Sequence, residues 1–290
     1  MPDSPILLEQ FGAFVEDAIG LSFSPARWND LWRAVAEMTR QQYFHSMDDC
    51  MRSMMNSSAE HTTAQTLGRY LANGETYFFR DACMFSALRL EIIPRLIARR
   101  RASGASVLHM LSAGCCSGEE AYSLAMLVQD LSNMPDMHDM GEWELRVVGV
   151  DINPAFLQAA QKGNYGAWSF RGVPEALKLR HFEPLGEGRF AVLSGIKPRV
   201  DFRYLNLAAD DFGVVADMAP FDLVLCQNVL MYFGAKSWRH TVARMHGLLA
   251  EGGWLCVGPI ESDRAFYPQY RPVEFDGVTF FQKVEGCGKP

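Results

Sequence analysis

No apolar run in the 290-residue sequence approaches the ~18 residues that a membrane-spanning helix needs. The first stretch, MPDSPILLEQ, lacks the basic start and apolar core of a secretory signal and carries Asp3 and Glu9 instead. Both absences predict a cytoplasmic protein with no direct membrane insertion. The seven cysteines contain no Cys-x-x-Cys pair, and two of them, Cys115 and Cys116, are adjacent, so reduced and buried thiols are expected rather than a disulfide framework. The seven histidines are scattered without ligand spacing, which predicts no metal site. Positive charge is scarce. A net charge of −7 argues against a nucleic-acid partner, because backbone binding needs a basic surface. The one dense basic run, RLIARRR from Arg95 to Arg101, reads as the solvated last turn of a helix, where cations suit the dipole. Internal repeats and low-complexity segments are also missing.

What is present divides near residue 72. Upstream the pattern is helical: in PARWNDLWRAVAEMTRQQYF, Trp28, Leu31, Trp32, Val35, Ala36 and Met38 fall close to helical spacing, and Asn56 to Gln65 reads as a loop or helix start. Beyond residue 105, short apolar runs (VLHMLSAG, WELRVVGVD, FDLVLCQNV and WLCVGP) alternate with helical patterns over 119–131, 154–162 and 236–249. Strands alternating with helices predict an α/β fold with a parallel sheet covered on both faces. The glycines of GGWLCV are placed to stop the helix before them. Asp276-Gly277 between two β-rich runs predicts a closing antiparallel hairpin, and the irregular stretch between Gly163 and Asn206 predicts a small antiparallel excursion.

The stretch LSAGCCSGEEAYSLAM, Leu111 to Met126, runs a glycine-rich turn into two glutamates and a helix. In an open parallel sheet, ligands bind outside the carboxyl ends of the strands. Gly114 and Gly118 permit a tight turn and close approach of a ligand. No lysine follows the glycines, as a P-loop would require, and the fingerprint G-x-G-x-x-G is incomplete. A diphosphate would meet Glu119 and Glu120, whereas a phosphate-free ligand with a cationic group fits. S-adenosylmethionine, with a sulfonium and an ammonium, is such a ligand. Asp151, ending the next strand in VVGVDINP, can accept both hydroxyls of a ribose, or else cap the following helix.

The chain resembles the CheR-type chemotaxis methyltransferases, which methylate receptor glutamates using S-adenosylmethionine. The resemblance covers most of the chain and rests on GETYFFRD (Gly74 to Asp81), SAGCCSGEEAYSLAM, VDINPAFLQAAQKGNY, LNL at Leu205 to Leu207, and CQNVLMYF (Cys226 to Phe233). It implies a Rossmann-like methyltransferase domain over 73–290, with a small inserted antiparallel β-subdomain at about 172–203, behind an all-helical domain over 1–72. By the same resemblance, Thr76 and Arg80 approach the donor, Gly114 lies against it, Glu119 meets its methionine portion and Asp151 its ribose. Asn206 and Leu207 line the adenine end. Gln227 and Asn228 end a core strand, and Tyr232 stands near the methyl group. Arg80 and Tyr232 are the implied catalytic pair. Thr76 and Arg80 are one helical turn apart, so both face one pocket if ETYFFRDA is helical. Phe78 and Phe79 are expected in the core.

The implied partner is the cytoplasmic domain of a methyl-accepting chemoreceptor or a similar helical signalling protein, met by a monomer. Two departures stand out: Gln227 and Gly74 occupy positions where the family usually has Arg and Asn. The first sixty residues also hold four Arg and no Lys against nine acids. The family's helical domain is often basic, so the acidic one here implies a different partner or another face. Two alternatives follow: a catalytically weakened S-adenosylmethionine-binding regulatory module, and a methyltransferase for a non-chemoreceptor substrate.

Overall fold

The computed structural model describes residues 5–132 and 143–284. Residues 133–142, just before the second sheet strand, lie outside the described residues, and with them His138; Cys287 lies beyond the last described residue.

The chain opens with four helices: α1 (Pro5–Ile19), α2 (Trp28–Gln41), α3 (Met47–Met55) and α4 (Glu60–Leu71). Apolar side chains three or four residues apart give each helix one buried stripe: Leu7, Phe11 and Val15 on α1 meet Leu31, Val35 and Met38 on α2 and Leu67 on α4 in one core. Ser46 caps α3, its hydroxyl accepting the Asp49 N–H at 3.0 Å.

The linker through residues 72–81 is not helical. It turns at Phe79, which has φ +54°, and Asp81 then caps α5 (Ala82–Ala87). A π-helical turn at Leu88–Ile92 leads into α6 (Ile93–Ala102). Pro94 explains the wide turn, because it lacks the N–H that would bond back onto the preceding residues. Phe78 is buried and packs against Tyr165, Phe170 and Phe182, and Phe79 is partly buried against Phe85, so both serve the core as expected.

Seven strands form the main sheet: β1 (Val107–Ala113), β2 (Glu144–Asp151), β6 (Val200–Tyr204), β7 (Phe221–Cys226), β8 (Leu249–Val257), β9 (Arg271–Phe275) and β10 (Val278–Gln282), in the order β6-β2-β1-β7-β8-β10-β9. The five from β6 to β8 run parallel, and β10 and β9 close the edge as an antiparallel hairpin. Asp276 and Gly277 both take positive φ, the two-residue turn whose twist matches paired strands. Successive residues of a strand serve opposite faces. Leu223 and Leu225 join one core while Val224 and Cys226 join the other, so both faces are covered. Helices α7 (Glu119–Ser132), α8 (Pro154–Lys162) and α10 (Ala235–Leu248) fall where the sequence places helices.

Between α8 and β6, the strands β3 (Asn164–Tyr165), β4 (Phe182–Gly186) and β5 (Arg189–Val192) form a separate antiparallel sheet, with helix α9 (Glu175–His181) preceding β4. The subdomain therefore starts before residue 172, and Val200–Tyr204 belongs to the large sheet, paired with β2.

Two local readings of the sequence are corrected. Gly252 and Gly253 do not stop α10. They lie inside β8, where the pairing with β7 skips from Leu249 to Trp254, and Gly252 takes φ +74°. The end of α10 is satisfied from elsewhere: Lys283 Nζ donates to the carbonyls of His246 and Leu249. The basic run of α6 is likewise not simply solvated. Arg99 and Arg100 both pair with Asp222, a fully buried carboxylate at the start of β7 that also accepts the His109 N–H. The run clamps the helix to the sheet. Cys50, Cys115, Cys116, Cys226 and Cys256 are buried free thiols, and Cys83 is exposed.

Candidate active site

Strand order reverses between β1 and β7, which places a crevice outside the carboxyl ends of the parallel strands. A partly open cavity lies there, about 950 Å³ counted with the space open to solvent, and the segments after β1, β2, β6 and β7 all reach it. Nine of the ten residues singled out from the sequence line it: Thr76, Arg80, Gly114, Asp151, Asn206, Leu207, Gln227, Asn228 and Tyr232.

Glu119 is the one that does not. Its carboxylate is buried beneath the loop, accepting the hydroxyls of Ser117 at 2.7 Å and Ser169 at 2.9 Å, and burial raises its pKa. Glu120 faces the cavity in its place and accepts the Ser112 hydroxyl at 2.6 Å. Adjacent residues on a helix point about 100° apart, so only one of the pair can face the crevice. The acidic pair was legible; which member turns inward depends on where α7 starts. Burial pushes the Glu120 carboxyl up to about 7 and Asp151 up to about 6. Donors around Asp151 pull against burial: the N–H groups of Asn153 and Cys116, at 2.8 and 2.9 Å, meet its two oxygens. Asp151 does not cap α8, because Asn153 does so by accepting the Ala155 N–H. A cavity with two buried acids in its wall suits a cation.

The glycine loop is shaped by contact. Gly114 has φ +79°, and a Cβ there would lie 2.3 Å from Val229 Cγ2. A Gly114→Ala variant should therefore lose at least the ~1–2 kcal/mol of a left-handed non-glycine backbone, plus the cost of displacing Val229. Gly172, at φ +78° with open space around it, carries the backbone cost alone. Denaturant unfolding of both alanine variants checks this: equal losses would show that Val229 does not press on the loop.

Arg80 is held at the cavity wall by donating from Nη1 to the Glu75 carbonyl at 2.7 Å. Tyr232 accepts the Asn73 side-chain amide at 3.0 Å, and its own carbonyl accepts the Ser22 N–H. Asn206 uses its side chain to join α1 to its own loop, donating to the Ala18 carbonyl at 2.8 Å and accepting the Ala208 N–H. Gly74 has a steric reason, since a Cβ would lie 2.6 Å from the Phe156 ring. Among the described residues, the Gln227 side-chain amide reaches only the Cys256 sulfur, at 3.7 Å. The sequence reading also missed Ile19 and Leu21, which bring the helical segment into the cavity wall; nothing in their local pattern distinguishes them from other core residues.

A doubly covered parallel sheet with an incomplete dinucleotide fingerprint in its first loop, two acidic side chains facing the crevice and no phosphate-binding lysine fits an S-adenosylmethionine-dependent methyltransferase. The comparisons agree: the description "CheR methyltransferase, SAM binding domain" matches residues 74–271. The chain belongs to the CheR methyltransferase family. It is 31% identical to Chemotaxis protein methyltransferase 1 of Pseudomonas aeruginosa, over 92% of this chain and 93% of that one. It is 29% identical to Chemotaxis protein methyltransferase Cher2 of Pseudomonas putida, over 94% and 96%. A probable biofilm formation methyltransferase, WspC of Pseudomonas aeruginosa, is 30% identical over 88% of this chain and 56% of its own length.

Proposed function

We propose that the protein methylates glutamate side chains of a methyl-accepting chemoreceptor, forming methyl esters, as a cytoplasmic monomer with a helical domain over residues 1–72. The observation that carries this reading is the convergence of Arg80 with Glu120 and Asp151 on one cavity. The relatives named as chemotaxis methyltransferases support the acceptor class. S-adenosylmethionine, held by Asp151, Glu120 and the glycine loop, supplies a methyl group on a cationic sulfur. An acceptor glutamate has a pKa of ~4.3 and is ionised at neutral pH, so no general base is needed. Arg80 orients that carboxylate, and Tyr232 shapes the passage beside it. Neither acts as a nucleophile. Positioning of this kind can supply ~7–11 kcal/mol. The test is transfer of radiolabelled methyl to a purified receptor cytoplasmic fragment, with the label released by mild alkali as an ester requires. No label on that fragment would overturn the acceptor assignment.

Gln227 favours a second reading, a module that binds the donor without efficient transfer, because the amide lacks the charge and planar fork of arginine. Tight donor binding without transfer would select it. The WspC relative points to a third, an acceptor outside chemotaxis.

The raised carboxyls make donor binding pH-dependent. In the folded, donor-free chain Glu120 and Asp151 hold protons up to about 7 and about 6, which the unfolded chain releases near ordinary carboxyl values of 4.5 and 3.8. Their contribution to stability is present at low pH and lost as pH rises through that window. A cationic ligand needs Glu120 ionised, and a ribose needs Asp151 ionised to accept both its hydroxyls. The rise in melting temperature on adding donor should therefore grow between about pH 5.5 and about pH 8. A donor-induced shift that is flat across this range would exclude both acids from donor binding.

A further inference from the structure

Another buried acid lies behind the cavity wall. Glu261 follows β8 in the stretch VGPIES and is fully buried. Its carboxylate meets four backbone N–H groups: Asn228 and Gly258 donate to Oε2, each at 2.8 Å, and Val229 and Met231 donate to Oε1 at 2.7 and 3.0 Å. Three of these donors belong to the loop that leaves β7. A carboxylate is acceptor-only and can take several such bonds, and each is strengthened by its charge. Asn228 sits in the left-handed region at φ +58°, a conformation that persists only where its surroundings impose it.

We propose that Glu261 is the positioning residue of the donor site, gathering the β7 loop so that Gln227, Asn228 and Val229 form one wall of the cavity. It is not among the residues that line the cavity, so it acts through those that do. Val229 is the one that presses against Gly114, so fixing Val229 also sets the neighbouring glycine loop. Gly258 leaves room for the carboxylate, since a Cβ there would lie 2.7 Å from Oε2. The inference rests on the cavity being the place where S-adenosylmethionine binds.

Glutamine cannot replace this group. Whichever way its amide turns, two of the four N–H donors face an NH₂. Glu261→Gln should weaken binding of the demethylated product S-adenosylhomocysteine, measured by calorimetry, by about tenfold or more. Gly258→Ala, which displaces the carboxylate without changing its chemistry, should weaken it in the same direction. The control is Asp222→Asn, which unpairs another fully buried carboxylate at the start of β7; it should leave affinity within about twofold, at a temperature where circular dichroism shows every variant folded. Unchanged affinity in Glu261→Gln overturns the proposal, as does an equal loss in Asp222→Asn, which would make the effect one of general stability. Should the Glu261 and Gly258 variants not fold, hydrogen exchange on the donor-free parent decides: the amides of Val229 and Met231 should be protected, and exchange at the rate of an open loop overturns the idea. A parent chain that binds neither donor nor product would sink the reading of the cavity instead, and the exchange measurement would still judge the loop.

Discussion

Arg80→Ala should lower methyl transfer roughly a hundredfold, corresponding to ~3 kcal/mol for a charge-assisted contact made to the acceptor carboxylate. Donor affinity should change far less, because Asp151, Glu120 and the glycine loop stay in place. The acceptor carboxylate carries its full charge before transfer, so the loss appears in kcat/KM for the acceptor. The guanidinium is already restrained by the Glu75 carbonyl, so little freedom has to be lost when an acceptor arrives. Arg80→Lys should recover little, since an ammonium offers no planar fork and cannot hold both the carbonyl and a carboxylate in that geometry. The measurement is a radiolabelled-methyl assay on a receptor fragment beside donor calorimetry on the same variants. Transfer at the parental rate in Arg80→Ala would remove the orienting role; parallel loss of donor affinity and rate would make Arg80 a donor ligand instead.

Asp151→Ala should weaken the donor at least about tenfold, from loss of a charge-assisted contact worth ~1.5–3 kcal/mol. Two effects contribute. The carboxylate is placed to accept ribose hydroxyls, and it also accepts the Cys116 N–H, which pins the glycine loop at a residue with φ +49°. A donor analogue lacking a ribose hydroxyl separates them. If Asp151 meets the ribose, the parent discriminates strongly against the analogue and the variant does not, so the two losses fail to add. Full additivity would assign Asp151 to the loop alone, and unchanged affinity in the variant would remove it from the site.

Much of this was open to reading in the sequence because the signals are local. The β-runs after residue 105, the Asp276-Gly277 turn and the glycines at 114 and 118 each follow from backbone preferences of a few residues. What escaped depended on distant partners. Gly252-Gly253 looks like a helix stop until Lys283, thirty residues on, is seen taking the carbonyls that end α10. The basic run of α6 looks solvated until Asp222 arrives from across the sheet. Thr76 and Arg80 reach one cavity without the helical turn that would have brought them there, because Phe78 and Phe79 fix the linker by burial and by backbone bonds to Ser169 and Ser123. Glu261 carries little local signal, since only Gly258 is near it in sequence and its other three partners lie on the β7 loop, brought to it by the sheet order.

The junction of α1 with the β7 loop has a thermodynamic corollary. Leu21 pairs with Phe233 as an isolated bridge, the Gly234 N–H donates to the Gly20 carbonyl, and Gly20 lies so close to Ala208 and Phe233 that a Cβ would crowd both. The helices therefore do not hang from the catalytic fold as a detachable adaptor. A protein that grips them with different strength in the donor-bound and donor-free states must alter donor affinity by the same factor as the donor alters its grip, since binding free energies around a closed cycle sum to zero. Exchanging the helices for those of a relative would then change the pocket along with the partner.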